Sequence, residues 1–113
     1  MGDLAVDTAV EAVGAGRFRC VLSRDWEIWG PMGGYVAAVA LRAVGAHLGP
    51  DHPARPVAFS CHYLGVARFE AVDIAVVALR EGRGASSYRV SITQGDRPIL
   101  EALVWASAST DGL

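Results

Sequence analysis

Gly30-Pro31-Met32-Gly33-Gly34-Tyr35-Val36-Ala37-Ala38-Val39-Ala40-Leu41-Arg42-Ala43-Val44-Gly45-Ala46-His47-Leu48-Gly49-Pro50 is the stretch that decides the fold. Pro31 suits a first helical turn, where a missing N–H costs nothing. Residues 34–48 are good or tolerated helix formers, and Gly49-Pro50 supplies the stop. Tyr35, Val36, Val39, Ala40, Leu41, Ala43 and Val44 leave this helix almost no polar face. The pattern therefore predicts one long apolar helix surrounded by other structure rather than laid on a surface.

Upstream of the helix, Phe18, Cys20 and Leu22 alternate with Arg17, Arg19 and Ser23, which predicts a half-buried strand. The opening segment, 3–13, reads as a strand from the alternation of Val6, Thr8, Val10 and Ala12, although Asp3 also suits a helix cap. Downstream, 57–64, 72–79, 86–93 and 99–106 have strand length and are rich in β-branched or aromatic residues. Gly65, Glu81-Gly82-Arg83-Gly84 and Gln94-Gly95-Asp96-Arg97 punctuate them with hairpin chemistry. A helix with no polar face must be wrapped, and a curled antiparallel sheet can wrap it. The expected class is α+β, with an antiparallel β-sheet around one helix in a single domain over 1–113.

Composition narrows the function. The chain has 113 residues, 52% of them hydrophobic and 19% charged, with a formal net charge of -2. The apolar excess predicts burial against a partner, and an open strand edge predicts a two-fold dimer or higher homo-oligomer. Without a basic run there is no electrostatic footprint for nucleic acid. Cys20 and Cys61 lack ligand spacing, so both read as reduced core residues, with no metal, disulfide or cofactor implied. The longest apolar stretch, 33–48, is broken by Arg42 and His47 and falls short of the ~20 residues of a membrane span. No basic-then-apolar leader opens the sequence, so a cytoplasmic location is expected.

Three segments carry a more specific signal. The stretch from Trp26 to Ala38, WEIWGPMGGYVAA, is similar to the start of the TesB-like, type II acyl-CoA thioesterases. His62-Tyr63-Leu64 followed by Ala67-Arg68 resembles that family's HFL-x-PA strand end. Leu79-Arg80-Glu81-Gly82-Arg83, followed by 89–98, RVSITQGDRP, resembles its LR-x-GR and RV-x-LTQ-DGRP hairpin. The resemblance implies a hotdog fold and the hydrolysis of an acyl-CoA or carrier-bound acyl thioester. Family members usually carry two hotdogs, and this sequence resembles the first. The family's catalytic Asp, Ser/Thr and Gln lie in the second, so those roles are carried to no residue here.

Thioester hydrolysis needs donors aimed at a developing oxyanion and a group that activates water or attacks directly. Unpaired N–H groups at the helix start supply the first, with Gly33 and Gly34 admitting a carbonyl without Cβ interference. Close packing of the helix start against a strand would call for glycine equally. Asp25 and Glu27 precede the helix and are the candidate acids. Trp29, Met32 and Tyr35, with Trp26, are candidate walls for an acyl chain, although core packing also accounts for such residues. His62 is a candidate binding residue on a strand, and Arg80 and Arg83 are candidates for the CoA phosphates. Gln94 reads as a turn residue, and Glu101 as a carboxylate on an apolar strand face.

The competing reading is a non-catalytic hotdog that binds acyl thioesters or pairs with a separate catalytic hotdog. A hydratase would need an Asp and a His beside the helix start, whereas His47 and Asp51 fall at its far end.

Overall fold

The structure is a computed structural model that describes residues 2–26, 33–82 and 84–108. The elements run α1 (Leu4–Asp7), β1 (Glu11–Gly14), β2 (Arg17–Val21), a 3-10 turn (Arg24–Trp26), α2 (Gly33–Leu48), β3 (Arg55–Tyr63), β4 (Ala71–Glu81), β5 (Ala85–Gln94) and β6 (Arg97–Ser107). The strands form one antiparallel sheet in the order β1-β2-β4-β5-β6-β3. Every strand expected downstream of the helix is present; β4, β5 and β6 extend a residue or more beyond the expected ranges at both ends, and β3 starts two residues earlier and stops one sooner.

The sheet curls because its ladders are interrupted. Register shifts fall at Pro56/Ala58, Ala78/Arg80 and Ile92/Thr93, and an extra residue on one strand sharpens local twist and bend. Pro56 is tolerated in β3 because that strand lies at an edge, where one row of N–H groups has no ladder to join. On the concave face, Val72, Ile74, Val76, Tyr88, Val90, Ile92, Leu100 and Val104 are buried against α2. Each such aliphatic side chain contributes roughly 1.5–3 kcal/mol relative to exposure.

Two expectations are corrected. The opening segment is not a single strand: Asp3 Oδ1 accepts from Ala5 N (3.0 Å) and Val6 N (3.3 Å), and Asp3 N donates to Asp7 Oδ2 (3.1 Å). This reciprocal cap satisfies the first turn of α1 and outcompetes the alternation, leaving only Glu11–Gly14 as strand. Nor is α2 surrounded. Its 16 residues bury one stripe, Tyr35, Val36, Val39, Ala40, Ala43 and Val44, against the sheet. On its other side Gly34, Arg42, Ala46 and His47 are exposed, and only Arg42 and His47 mark that face as polar among alanines and glycines that suit a core equally.

α1 lies across the outer side of α2. Arg42 Nη1 donates to Ala5 O (3.0 Å) and Thr8 Oγ1 (3.2 Å), and the Tyr35 hydroxyl donates to Asp7 O (2.7 Å). Between the two helices runs a groove of about 700 Å³ whose walls include Leu4, Ala5, Ala38, Leu41 and Gly45. Leu41 also borders a second groove of about 440 Å³ along Pro56, Val57, Ala58 and Phe59 of β3. The groove along α2 and the groove along the β3 edge thus meet at Leu41.

Candidate active site at the start of the central helix

α2 starts at the sheet end where β2 finishes and β4 begins. Val21 lies opposite Ala71, Leu22 N donates to Glu70 O (3.3 Å), and Ser23 N donates to the Tyr35 hydroxyl (2.8 Å). The phenol therefore ties the entry segment and α1 to the helix's first turn. Tyr35 is only 1% exposed and both sides of its hydroxyl are engaged, so its ring lies in the core. Burial is the main reason its pKa is raised above 10.0, and the Ser23 N–H opposes that shift.

Gly34 is exposed in the first turn, and a Cβ built on it would meet nothing within 4 Å. Among the described residues, then, no close neighbour calls for glycine there. Gly33 opens the helix beside it. In an α-helix the first-turn N–H groups lack an intrahelical acceptor and the helix dipole adds partial positive charge, so a helix start favours an oxyanion. Asp25 is exposed on the 3-10 turn, with its N–H donating to Ser23 Oγ (3.2 Å). It is two residues from the Ser23 that Tyr35 holds, while its carboxylate has no hydrogen-bond partner among the described residues. Glu27, Trp29, Met32 and Arg83 lie outside the described residues.

Two other sequence candidates are placed away from this end or face. His62 is exposed and pairs across the ladder with Glu101, on the convex face, while its neighbours Cys61 and Tyr63 lie opposite the buried Ala102 and Leu100. Glu101 on that face accepts from Arg89 Nε at 2.8 Å, an ordinary half-exposed ion pair. Arg80 lies opposite Ser87, near the end of β4 that meets the C-terminal half of α2. At ~3.3 Å per residue it is roughly 30 Å along the strand from Ala71. That far end is marked by His47, whose ring meets Tyr88 edge-on at 5.6 Å.

Sequence reasoning missed Gln94. It is 8% exposed and reaches from the end of β5 into the loop joining β3 to β4. Its Oε1 accepts from Arg68 N (2.7 Å) and Arg97 Nη2 (3.4 Å), and its Nε2 donates to Arg68 O (3.0 Å), Glu70 O (3.4 Å) and Ala71 O (3.4 Å). Arg97 Nη2 also donates to Val66 O (2.9 Å). Gly65 is required in this loop, because a Cβ there would stand 2.9 Å from Pro98 O. The available signal was phase: Tyr88, Val90 and Ile92 point inward, and Gln94 continues the alternation.

A curled antiparallel sheet with a central helix on its concave face, and an accessible helix start, is the hotdog architecture. The chain belongs to the acyl-CoA thioesterase family: the model of the acyl-CoA thioesterase N-terminal domain matches residues 22–107. A tesB protein of Mycobacterium avium subsp. paratuberculosis is similar, at 26% identity with a TM-score of 0.83 over 97% of this chain and 43% of its own. An acyl-CoA thioesterase II, TesB2, of Mycobacterium marinum shares the fold at 16% identity and a TM-score of 0.81, over 97% of this chain and 40% of its own. A hypothetical thioesterase protein of Streptococcus pneumoniae, solved with coenzyme A, shares it at 21% identity and a TM-score of 0.70, over 89% and 84%. No curated protein matches. The chain thus spans less than half the length of the TesB proteins it resembles, and the TesB-like, single-hotdog reading of the sequence stands. Among the described residues no helix is long and apolar enough to cross a membrane.

Proposed function

We propose that this chain hydrolyses acyl-CoA, or a carrier-bound acyl thioester, at the start of α2, with the site completed across an interface between two hotdogs. The observation that carries this is Gly34, exposed in the first turn with no described residue within 4 Å of where its side chain would be. A thioester carbonyl seated there accepts from first-turn N–H groups, whose hold strengthens as the oxygen becomes an oxyanion. One such donor is typically worth ~10²–10³ in rate. Asp25 or Glu27 takes a proton from water as the water oxygen bonds to the carbonyl carbon. Collapse of the tetrahedral intermediate breaks the C–S bond, and the proton passes to the departing sulfur, giving a carboxylic acid and a free thiol. A second hotdog, in a homodimer or higher homo-oligomer, covers the apolar surface of α2 and β3.

The test is thiol release from short and medium acyl-CoAs, with Asp25→Asn and Glu27→Gln as controls. One of these is expected to lose at least ~10²-fold, the usual worth of a positioned acid or base. Release unaffected by both would overturn the choice of acid. No release from a folded protein that still binds acyl-CoA would favour a second reading, a non-catalytic hotdog that binds thioesters or pairs with a catalytic one. That reading is supported by the match to an N-terminal domain and by an Asp25 carboxylate with no described partner to orient it.

A further inference from the structure

We infer that Arg68, clamped through its backbone by Gln94, is the anchor for the phosphate groups of a CoA thioester whose acyl carbonyl sits at the start of α2. This rests on the reading of α2 as the thioester site and names the part of the protein that meets the nucleotide end. Arg68 is exposed, and its guanidinium has no partner among the described residues, whereas both its N–H and its C=O are held by the one buried carboxamide. Loops are ordinarily mobile at such positions, and ordering one on binding costs affinity. Here the fold has already met that cost, since Gln94 and Arg97 between them secure Val66, Arg68, Glu70 and Ala71. This buried polar network fixes the backbone from which the exposed Arg68 side chain projects.

The place is the correct end of the molecule. Glu70 O receives Leu22 N, and the Arg24 guanidinium lies 4.9 Å from the centre of the Phe69 ring, so the loop is joined to the segment that leads to Gly34. Arg97 contributes a second positive charge through its contact with the same Gln94 oxygen, while Glu70 is the one carboxylate of residues 64–70. Arg80, by contrast, is at the opposite end of β4. A planar guanidinium meets two phosphate oxygens at once, which a point charge does not.

The experiment measures binding by calorimetry, so it does not depend on turnover. The full chain and its Arg68→Gln and Arg68→Lys variants are titrated with CoA, with 3′,5′-ADP, and with an acyl-pantetheine that lacks the phosphates and the nucleotide. Arg68→Gln is expected to weaken CoA and 3′,5′-ADP roughly tenfold, about 1.4 kcal/mol, with Arg68→Lys in between and acyl-pantetheine unchanged. Unchanged CoA binding by Arg68→Gln, or equal weakening of acyl-pantetheine, overturns the assignment. If the wild-type chain binds CoA through Arg68 but releases no thiol, the hydrolase reading falls and this one stands. If it binds neither CoA nor 3′,5′-ADP, this one falls.

Discussion

Replacing Gly34 with alanine separates a functional glycine from a packing one. Gly34 is exposed inside α2, and among the described residues the added Cβ would have no neighbour within 4 Å, so no contact there opposes it. Alanine also restricts the unfolded chain more than glycine does, which stabilises a compatible helical position by roughly 0.4–1 kcal/mol. For a domain of this size, that raises Tm by roughly 2–5 °C. The same Cβ stands where a thioester carbonyl must approach the first-turn N–H groups, so acyl-CoA turnover or binding should fall while stability rises. The two readouts are thermal unfolding by circular dichroism and thiol release on the same preparation. A Tm lowered by several degrees, with activity lost in proportion, would refute the reasoning and make Gly34 a packing residue.

Removing the Tyr35 hydroxyl by Tyr35→Phe takes the acceptor from Ser23 N and the shorter of two donors from Asp7 O, which keeps the Cys20 thiol at 3.6 Å. At ~1–3 kcal/mol for a stranded N–H, partly relieved by water, the expected loss is about 1–2 kcal/mol in urea unfolding, with no change in m-value. Alkaline pH should destabilise the fold. Burial, followed by the Asp7 charge, raises the Cys20 thiol above 9.0, and burial raises the Tyr35 phenol above 10.0. Folding therefore favours the protonated forms. That stability is fully present below pH ~9 and is lost as pH rises through the ordinary values toward the raised ones. Tm should fall between pH 8 and pH 11, and Cys20→Ala together with Tyr35→Phe should flatten the fall. If β3 is the joining edge, Val57→Lys should shift the wild-type dimer toward monomer in light scattering at micromolar concentration. A wild-type chain that is itself a monomer there would end the homodimer proposal.

The strands and the helix were legible because each is a local pattern. Alternation at Phe18, Cys20 and Leu22 fixes which face of β2 is buried, and the run between Pro31 and Gly49 can only be helix. The motifs shared with TesB-like thioesterases are contiguous as well, so the family was readable before any fold was. Two readings went astray where one local signal competed with another. At the N-terminus a side-chain cap at Asp3 outweighed an alternating pattern, because a cap satisfies orphan N–H groups that a short lone strand leaves open. Along α2, alanine and glycine look alike whether they face a core or a groove, so the composition of the helix could not say that only one side was covered.

The sequence by itself determined the central helix, the strands β2 to β6 and their order, and through its motifs the hotdog class and the family. Only the tertiary structure decided which residues share an end of the sheet, because that depends on strand register and on contacts between positions far apart in the chain. It placed Arg80 toward the far end of β4 and His62 on the convex face, and joined the loop of Arg68 to the segment before the helix. It also turned Gln94 from a turn residue into the clamp of a loop 26 positions away from it in sequence, at Arg68. Side-chain hydrogen bonds of that range have no period and leave no trace in a linear pattern, since they exist only once the strands have paired.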